Sequence, residues 1–407
     1  MSKWETVKIG TLCDAIFSGG TPKTAEPSYW DGDLLWLSSG ETRNRYIFTT
    51  DRTITQEGVD NSSTRLALKG DIVMACAGQG NTRGQTSVVM RDMYINQSVI
   101  ALRANPKKLH NLYLFHSLSS RYDELRAKSD ASSTRGSITT DMLKKLPISI
   151  PTDDPDLRIQ TRIANILSAY DDAIENNNRR IDLLEKAAQE LYKEWFVRFR
   201  FPGHESARFV NGLPVGWTVK RMATFTHVTD GTHDTPKPTD AGVPLVTGRC
   251  ISNGFIDFDS AYLISEVDHA GISKRSGLET GDILFSNIGT VGSTCIVDYY
   301  REFSVKNVII FKPESEAKTT YLYLLLTSQS MQDIFQAQTN GASQQFVGLT
   351  FMRRFKIVVP SEELLLGFSE RVSPLLAERQ LLHKKSQNLA RQRDMLLPRL
   401  MSGKLEV

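Results

Sequence analysis

The sequence predicts an α+β protein with two pseudo-repeated globular domains, separated by two long antiparallel helices that form a coiled coil. Three observations predict this architecture: an internal repeat, short β-branched runs between turn residues, and two helical stretches with heptad spacing. The length of 407 residues also exceeds what a single hydrophobic core usually organises. We therefore expect more than one domain.

The internal repeat consists of four sequence blocks that recur in the same order, roughly 210 residues apart. The first copy contains KGDIVMACAGQGNTRGQTSVV, YINQSVIALRANP, LYLFHSLSS and ITTDMLKKLPISIP. The second copy contains TGDILFSNIGTVGSTCIV, FSVKNVIIFKPES, LYLLLTSQS and VGLTFMRRFKIVVP. Each copy closes with a polar stretch of helix-favouring residues. The predicted organisation is a domain at residues 1–150, a helical spacer at 151–200, a second domain at 201–360 and a second spacer at 361–407.

Each globular part has the pattern of a mixed α+β domain. Short β-branched runs, such as residues 282–285 and 305–311, alternate with Gly, Asn and Thr turns, which is typical of strands. Helices are expected to be fewer there, and residues 109–127 and 319–338 are the best candidates. We expect each domain to contain about 150 residues, which is a usual domain size.

The first spacer carries a heptad seam, with residues following one another at alternating steps of four and three. Its seam residues are Ile163, Leu167, Tyr170, Ile174, Asn177, Ile181, Leu184, Ala188, Leu191 and Trp195. Asn177 is the polar exception, and it either fixes the register of the seam or occupies a position exposed to water.

The second spacer carries a weaker seam, which includes Leu375, Leu382, Leu389 and Leu396. Pro374 either begins this helix or kinks it, and Pro398 is expected to end or bend its last turn. We expect the two helices to pack antiparallel, because neither can bury its apolar stripe alone. A helix of about 40 residues is about 60 Å long, so such a pair would hold the two domains at a fixed separation.

Composition and motifs argue against several classes of protein. A net charge of +3 is low for a protein that neutralises DNA phosphates unaided. The phosphate-binding loop pattern, the Pro-Pro signature of amino-methyltransferases and paired metal-ligand spacings do not occur in the sequence. The histidines are expected at the surface or as caps, and the cysteines as buried free thiols. No apolar run is long enough to cross a bilayer, which predicts a cytoplasmic protein without membrane contact.

Several segments resemble the specificity subunits of type I restriction-modification systems. Residues 17–41, FSGGTPKTAEPSYWDGDLLWLSSGE, are similar to the opening of a target recognition domain in that family, and residues 280–293, TGDILFSNIGTVGS, to a later strand and loop. Residues 158–203 and 391–407 resemble its two helical spacers. The resemblance covers almost the entire chain, although residues 76–85 and the start of the second spacer depart from the family pattern.

The resemblance implies a non-catalytic prokaryotic subunit that reads double-stranded DNA. Each domain would read one half of a bipartite target, and the spacers would set the unspecified gap and bind two methyltransferase subunits. Those partners would use S-adenosylmethionine to methylate adenine, and two ATP-driven motor and endonuclease subunits would join them. This chain would hold no cofactor itself, because S-adenosylmethionine, ATP and Mg would be bound by the partners.

Side chains that pair donors with acceptors on loops are the candidates for reading bases in the major groove. In the first domain the candidates are Ser38, Ser39, Arg43, Arg45, Gln79, Asn81, Arg83, Gln85 and Gln97. In the second domain they are Thr232, His233, Thr247, Arg249, Asn287, Thr290, Ser293, Asn307, Ser343, Gln344 and Gln345. Arg43, Arg83 and Arg249 rank first, because an Arg fork on guanine is the commonest specific contact. For each residue the alternative is a polar surface group that is hydrated.

Two other functions remain open at this point. A non-catalytic scaffold would use both domains to bind proteins, but such surfaces usually expose apolar anchors rather than polar loops. A stand-alone DNA-binding regulator would bind tightly by itself with a steep dependence on salt, which fits poorly with a nearly neutral chain.

Overall fold

The chain divides into two units in the computed structural model, which describes residues 3–78, 80–132, 136–298, 301–339 and 346–407. Unit 1 comprises Met1–Asn177 and Lys384–Val407, and unit 2 comprises Asn178–His383. No helix in the described parts of the chain combines the length and the apolar character that crossing a membrane requires.

In its described residues, unit 1 contains three sheets and four short α-helices besides its parts of the two long helices. Its strands are β1 (Trp4–Lys8), β2 (Cys13–Ser18), β3 (Trp30–Leu37), β4 (Tyr46–Ile47), β5 (Arg52–Ile54), β6 (Arg65–Ala67), β7 (Ile72–Ala75), β8 (Thr86–Val89), β9 (Met93–Ile95), β10 (Val99–Ala104) and β11 (Pro147–Pro151). Its short helices are α1 (Gln56–Asp60), α2 (Asn111–Ser119), α3 (Tyr122–Ser132) and α4 (Thr140–Lys145). The strand orders are β2-β10-β7-β8-β4, β5-β3-β9-β6 and β1-β11.

The five-stranded sheet of unit 1 is buried on both faces, as the alternation along β7 shows. Ile72 and Met74 pack with the helices, whereas Val73 between them packs with residues of the four-stranded sheet. Strand β10 alternates in the same way. The four-stranded sheet contains a parallel pair, β3 with β9, in which Leu37 lies opposite Ile95.

Unit 2 repeats this arrangement. Its strands are β12 (Phe209–Val210), β13 (Leu213–Pro214), β14 (Thr218–Arg221), β15 (His227–Asp230), β16 (Val243–Thr247), β17 (Ile251–Ser252), β18 (Phe255–Ile256), β19 (Tyr262–Ile264), β20 (Ile283–Ser286), β21 (Thr294–Ile296), β22 (Ser304–Lys306), β23 (Val308–Lys312) and β24 (Lys356–Val359). The sheets are β15-β23-β20-β21, β19-β16-β22, β14-β24, β12-β13 and β17-β18.

The topology of unit 2 confirms the predicted duplication for the main strands of each unit. The antiparallel pair β14–β24 corresponds to β1–β11, and the order β15-β23-β20-β21 corresponds to β2-β10-β7-β8. The parallel pair β16–β22 corresponds to β3–β9. The short helices of unit 2 are α6 (Met222–Phe225), α7 (Glu266–Ser276), α8 (Glu316–Thr327), α9 (Gln329–Thr339) and α10 (Leu349–Arg354). The mixed helix and strand content predicted from the sequence is therefore present in both units.

Three of the predicted elements are interrupted. The helix expected at residues 109–127 is the pair α2 and α3, and the helix expected at 319–338 is the pair α8 and α9, which is interrupted at Ser328. The strand expected at 305–311 is divided into β22 and β23 at Asn307, whose φ of 53° lies in the left-handed region. Asn tolerates that conformation better than most residues, so the chain turns there without glycine.

The two long helices are α5 (Arg158–Tyr192), which runs into a π-helical turn at Lys193–Val197, and α11 (Glu362–Met401). Helix α11 begins well before Pro374 and continues past Pro398, so Pro374 does not start it. In unit 1, Leu167 of α5 and Leu397 of α11 belong to the same hydrophobic core. In unit 2, Ile181 of α5 and Leu382 of α11 share a small apolar cluster.

The predicted seam residues differ in burial. Ile163, Leu167, Ile181 and Leu382 are buried, whereas Tyr170, Ile174, Asn177, Leu184, Leu191, Leu375, Leu389 and Leu396 are half-buried. Next to three of the half-buried positions, Asp171, Leu376 and Leu397 are buried. At these three points the buried face of the helix is therefore displaced by one residue from the predicted seam.

Candidate nucleic-acid interface

Three segments of unit 1 meet where the parallel strands β3 and β9 end. The amide of Gly20, which follows β2, donates to the carbonyl of Ile95 over 3.1 Å, and the amide of Asn96 donates to Leu37 over 3.0 Å. The indole of Trp36 donates to the carbonyl of Gly20. The approach requires glycine at position 19, because a Cβ there would lie 1.8 Å from the carbonyl oxygen of Ile95. We call residues 19–21, 37–43 and 95–97 the carboxyl edge of unit 1.

Unit 2 builds the same edge at the ends of β16 and β22. The amide of Thr232 donates to Val305 over 3.0 Å, and the amide of Asn307 donates to Thr232 over 3.1 Å. Gly231 precedes this segment, and a Cβ there would lie 2.1 Å from the carbonyl oxygen of Val305. Residues 231–233, 246–250 and 305–307 form the carboxyl edge of unit 2. The backbone path is therefore duplicated together with the strands.

A capped 3-10 turn follows the central strand at each edge. In unit 1 the amide and hydroxyl of Ser38 donate to the carboxylate of Glu41 over 2.8 and 2.9 Å, which is a capping box. In unit 2, Thr247 and Cys250 occupy the same two positions of the turn at Gly248–Cys250. Arg43 and Arg249 are exposed on these turns. Each turn therefore presents an arginine from a backbone that is fixed by its own hydrogen bonds.

Polar side chains from neighbouring segments join each edge. In unit 1, Gln97 is exposed and accepts a hydrogen bond from Thr21. Gln85 lies next to the turn, where its side chain accepts from Thr42 over 3.5 Å. Ser39 is half-buried, and its carbonyl accepts from the Thr42 hydroxyl over 2.7 Å.

In unit 2 the imidazole of His233 lies between two acceptors. Its Nδ1 is 3.1 Å from Oδ1 of Asn307, and its Nε2 is 2.9 Å from a carboxylate oxygen of Asp230. The ring remains mostly exposed, with 60% of the side chain accessible. Thr290 reaches the edge from the next loop, and its hydroxyl donates to the carbonyl of Gly248 over 3.0 Å.

Two arginines predicted to read bases lie away from the carboxyl edge. Arg83 is 6% exposed and donates to Asp130 of α3 over 2.6 Å. Arg45 contacts the carboxylate of Asp171 on α5 and stacks 5.1 Å above the ring of Phe115. Burial lowers the pKa of Arg45 to about 10. Both guanidinium groups have carboxylate partners within unit 1, so the structure presents neither of them at the carboxyl edge.

Of the remaining candidates for base reading, some bond the backbone of neighbouring segments and others lie on exposed turns. Asn287 is 5% exposed and donates to the carbonyl of Val347 over 3.3 Å. Ser293 accepts from the amide of Ser286 with its own carbonyl. Asn81 is exposed, and its carbonyl accepts from the hydroxyl of Tyr122. Gln79, Ser343, Gln344 and Gln345 lie outside the described residues.

Comparison with known proteins shows which family has this duplicated architecture. The family model for the "Type I restriction modification DNA specificity domain" matches residues 1–186 and 214–364. The chain belongs to this specificity family. It therefore falls among the proteins that recognise the DNA target in type I restriction-modification.

Relatives of this specificity-family chain match over nearly its whole length. It is 25% identical to the MjaIX specificity subunit of Methanocaldococcus jannaschii, over 99% of this chain and 94% of the relative. It is 21% identical to the HindI specificity subunit of Haemophilus influenzae, over the full length of both. The solved S subunit from M. genitalium aligns with a TM-score of 0.60 at 17% identity, covering 98% of this chain and 96% of that one. The last comparison shows a shared fold.

One histidine, His116, was expected at the surface but is buried in the structure. His116 of α2 is 1% exposed, and its Nε2 lies 3.1 Å from the hydroxyl of Ser168 on α5. Burial, together with the positive charges of Arg45 and Arg393, lowers the pKa of His116 to about 3. The ring is therefore neutral at physiological pH. In the described parts of the chain no group of His, Cys, Asp and Glu could hold a metal ion.

Sequence reasoning missed the glycine segments that shape both edges. Gly-Gly-Thr at 19–21 and Gly-Thr-His at 231–233 each follow the strand that opens the large sheet of their unit. These segments could have been found from the sequence, because a glycine recurs at matched positions of the two repeats. A recurring glycine indicates a close backbone approach.

Proposed function

We propose that this chain is the non-catalytic, DNA-reading subunit of a type I restriction-modification complex and that its two units read the two halves of a bipartite target. The observation that carries the proposal is the duplicated carboxyl edge, with an exposed arginine on a capped turn in each unit. A guanidinium fork can bond both acceptors of guanine in the major groove. Proposed base-reading residues are Arg43 and Gln97 in unit 1, and Arg249, His233 and Thr290 in unit 2.

The two arginines occupy different positions on matched turns. Because Ser38 corresponds to Thr247 in the capping arrangement, Arg249 stands where unit 1 has Gly40, and Arg43 lies three residues further along. The two matched turns therefore present the arginine side chain at different positions. This difference favours two unlike half-sites rather than a palindrome.

We further propose that α5 and α11 pair as an antiparallel coiled coil and dock two methyltransferase subunits. Contacts within each unit support the pairing: Asp171 and Arg393 meet in unit 1, and Glu185 and Arg379 meet in unit 2. Docking is supported by large apolar side chains that both helices expose. These are Leu183, Leu366, Leu381 and Met395, which are 64%, 53%, 46% and 68% exposed.

The partners would supply the chemistry. In this proposal S-adenosylmethionine is bound by the methyltransferase subunits, whereas ATP and Mg are bound by two motor and endonuclease subunits. The chain chooses the site and its partners modify or cut the DNA. The need for partners also accounts for a net charge of only +3, because neighbouring subunits would help to neutralise the phosphates.

A domain exchange tests the division of labour. Residues 1–150 are replaced by the equivalent segment of a relative, and methylated adenines are mapped by long-read sequencing of DNA from cells that hold the partner methyltransferases. The expected result is a change in one half of the recognised sequence, while the half read by unit 2 is retained. A change in both halves, or identical methylation by the partners without this chain, would contradict the proposal.

A further inference from the structure

The two units hold the loops that follow β7 and β20 in the same way. In unit 1 the carbonyl of Cys76, just beyond β7, accepts from the amide of Ile138 over 2.9 Å. In unit 2 the carbonyl of Asn287, just beyond β20, accepts from the amide of Val347, also over 2.9 Å. By these two hydrogen bonds, Cys76 corresponds to Asn287 and Ile138 corresponds to Val347.

The side chains at the adjoining positions differ sharply between the units. Unit 1 has Ala77 and Ser137, and the Ser137 hydroxyl bonds back to the carbonyl of Cys76 over 3.3 Å. Unit 2 has Ile288 and Phe346, which face each other across an isolated antiparallel bridge. A small, partly polar pair in one unit is therefore replaced by a large apolar pair in the other, on the same backbone.

The apolar pair is exposed and lies beside the carboxyl edge of unit 2. Ile288 is 38% exposed and Phe346 is 53% exposed. The carbonyl of Ile288 accepts from the hydroxyl of Ser286, and a Cβ at Gly248 would lie 3.4 Å from that carbonyl oxygen. The pair therefore adjoins the turn that carries Arg249.

We propose that Ile288 and Phe346 read the C5 methyl group of a thymine in the half-site of unit 2, an inference that rests on the proposed function. Thymine is the base that presents a methyl group in the major groove, and apolar side chains recognise it there by contact. The neighbouring arginine supplies the fork that suits guanine. The matched positions of unit 1 have no comparable apolar surface, so its half-site is read without this contact.

The test uses the full chain in complex with its methyltransferase partners and a duplex carrying the mapped target. Each thymine of the unit 2 half-site is replaced in turn by deoxyuridine, which removes the methyl group alone. The wild-type complex is expected to bind about fourfold more weakly at one position, the factor that corresponds to one buried methyl group. The double variant Ile288→Ala with Phe346→Ser, which installs the residues of unit 1, is expected to bind both duplexes equally.

Two variants serve as matched controls. Phe346→Leu keeps an apolar side chain and is expected to retain the discrimination between thymine and deoxyuridine. Val219→Ala removes apolar surface from β14, where Val219 is 55% exposed, and is expected to behave as the wild type. Substitutions in the half-site of unit 1 should affect the wild type and the double variant alike.

Three results would overturn the inference. They are a wild type that is insensitive at every thymine, a sensitivity that persists in the double variant, and a double variant that no longer assembles with the methyltransferases. The last result would make the pair a protein-docking surface. A wild-type complex without any sequence preference would instead refute the proposed function itself, so the two failures are distinguishable.

Discussion

Arg393 of α11 donates to the carboxylate of Asp171 on α5 over 2.7 Å, while the other oxygen of Asp171 faces Arg45. The Asp171 side chain is fully buried, and the side chain of Arg393 is 17% exposed. A buried carboxylate between two guanidinium groups joins both long helices to the globular part of unit 1. Removing its charge would leave Arg45 without this counter-ion and Arg393 with only the exposed carboxylate of Asp394.

Asp171→Ala is therefore expected to lower the free energy of unfolding of the chain by about 3–5 kcal/mol, the usual cost of breaking a buried ion pair. Urea unfolding followed by circular dichroism measures the change. The matched control is Asp156→Asn, since the Asp156 side chain is 81% exposed and 3.6 Å from Arg158. The control should stay within about 0.5 kcal/mol of the wild type. If both substitutions lowered the free energy of unfolding equally, the buried ion pair would stabilise the chain no more than the exposed one.

His116 predicts a pH dependence with a definite sign. Its pKa is lowered to about 3 in the folded protein, whereas an unfolded histidine titrates near 6.5. Below about pH 6.5 the unfolded chain binds a proton that the folded chain does not, so stability falls as the pH falls. Between pH 5.5 and 4.5 this group alone contributes a loss of about 1.4 kcal/mol per pH unit.

His116→Gln is expected to remove that part of the slope. Unfolding free energies of variant and wild type, measured in urea across this pH range, give the comparison. The variant should be less stable at pH 7, where it loses the contact with Ser168, and the difference should shrink toward pH 4.5. Parallel curves would show that His116 is protonated in the folded state.

The exposed arginines at the two carboxyl edges are expected to act on separate halves of the target. Arg43→Gln should relax discrimination at one base pair of the unit 1 half-site by about 1–3 kcal/mol, and Arg249→Gln should do the same in the other half. Binding to a panel of single-base variants of the target measures both effects. Arg91→Gln is the control, because Arg91 is exposed at the opposite end of β9. Loss of discrimination in both halves from either change would contradict separate reading.

The long helices are expected to set the unspecified gap. A heptad inserted after Asn177 in α5, with another after His383 in α11, adds about 10 Å to each helix, which corresponds to about three base pairs. Methylated adenines mapped in cells should then lie in half-sites of unchanged sequence with a longer gap. An insertion in α5 alone should abolish methylation, because it puts one helix out of register with the other. An unchanged gap after the double insertion would refute this role of the helices.

The sequence predicted the duplication and the parts of the fold that depend on local pattern, and several of its polar candidates lie at the carboxyl edges. It did not predict the ion pairs of Arg45 and Arg83. Their partners, Asp171 and Asp130, are distant along the chain and come close only through folding. Seam periodicity similarly selected Tyr170, yet the buried position is Asp171, since the arginines around it compensate the charge. Heptad counting treats a carboxylate as a surface residue and has no means of detecting such partners.

The capped turn at residues 39–43 has a consequence for how new targets arise. Its conformation depends on Ser38, Glu41 and Thr42, whose side chains bond the backbone or each other. Gly40 and Arg43 lie between and beyond these supports and are exposed. If the turn reads DNA as proposed, a substitution at either position would alter the preferred base without removing any of these supporting hydrogen bonds. Under the proposed function, a host that carries such a subunit would diversify its methylation pattern by single-nucleotide changes, without exchanging an entire recognition domain.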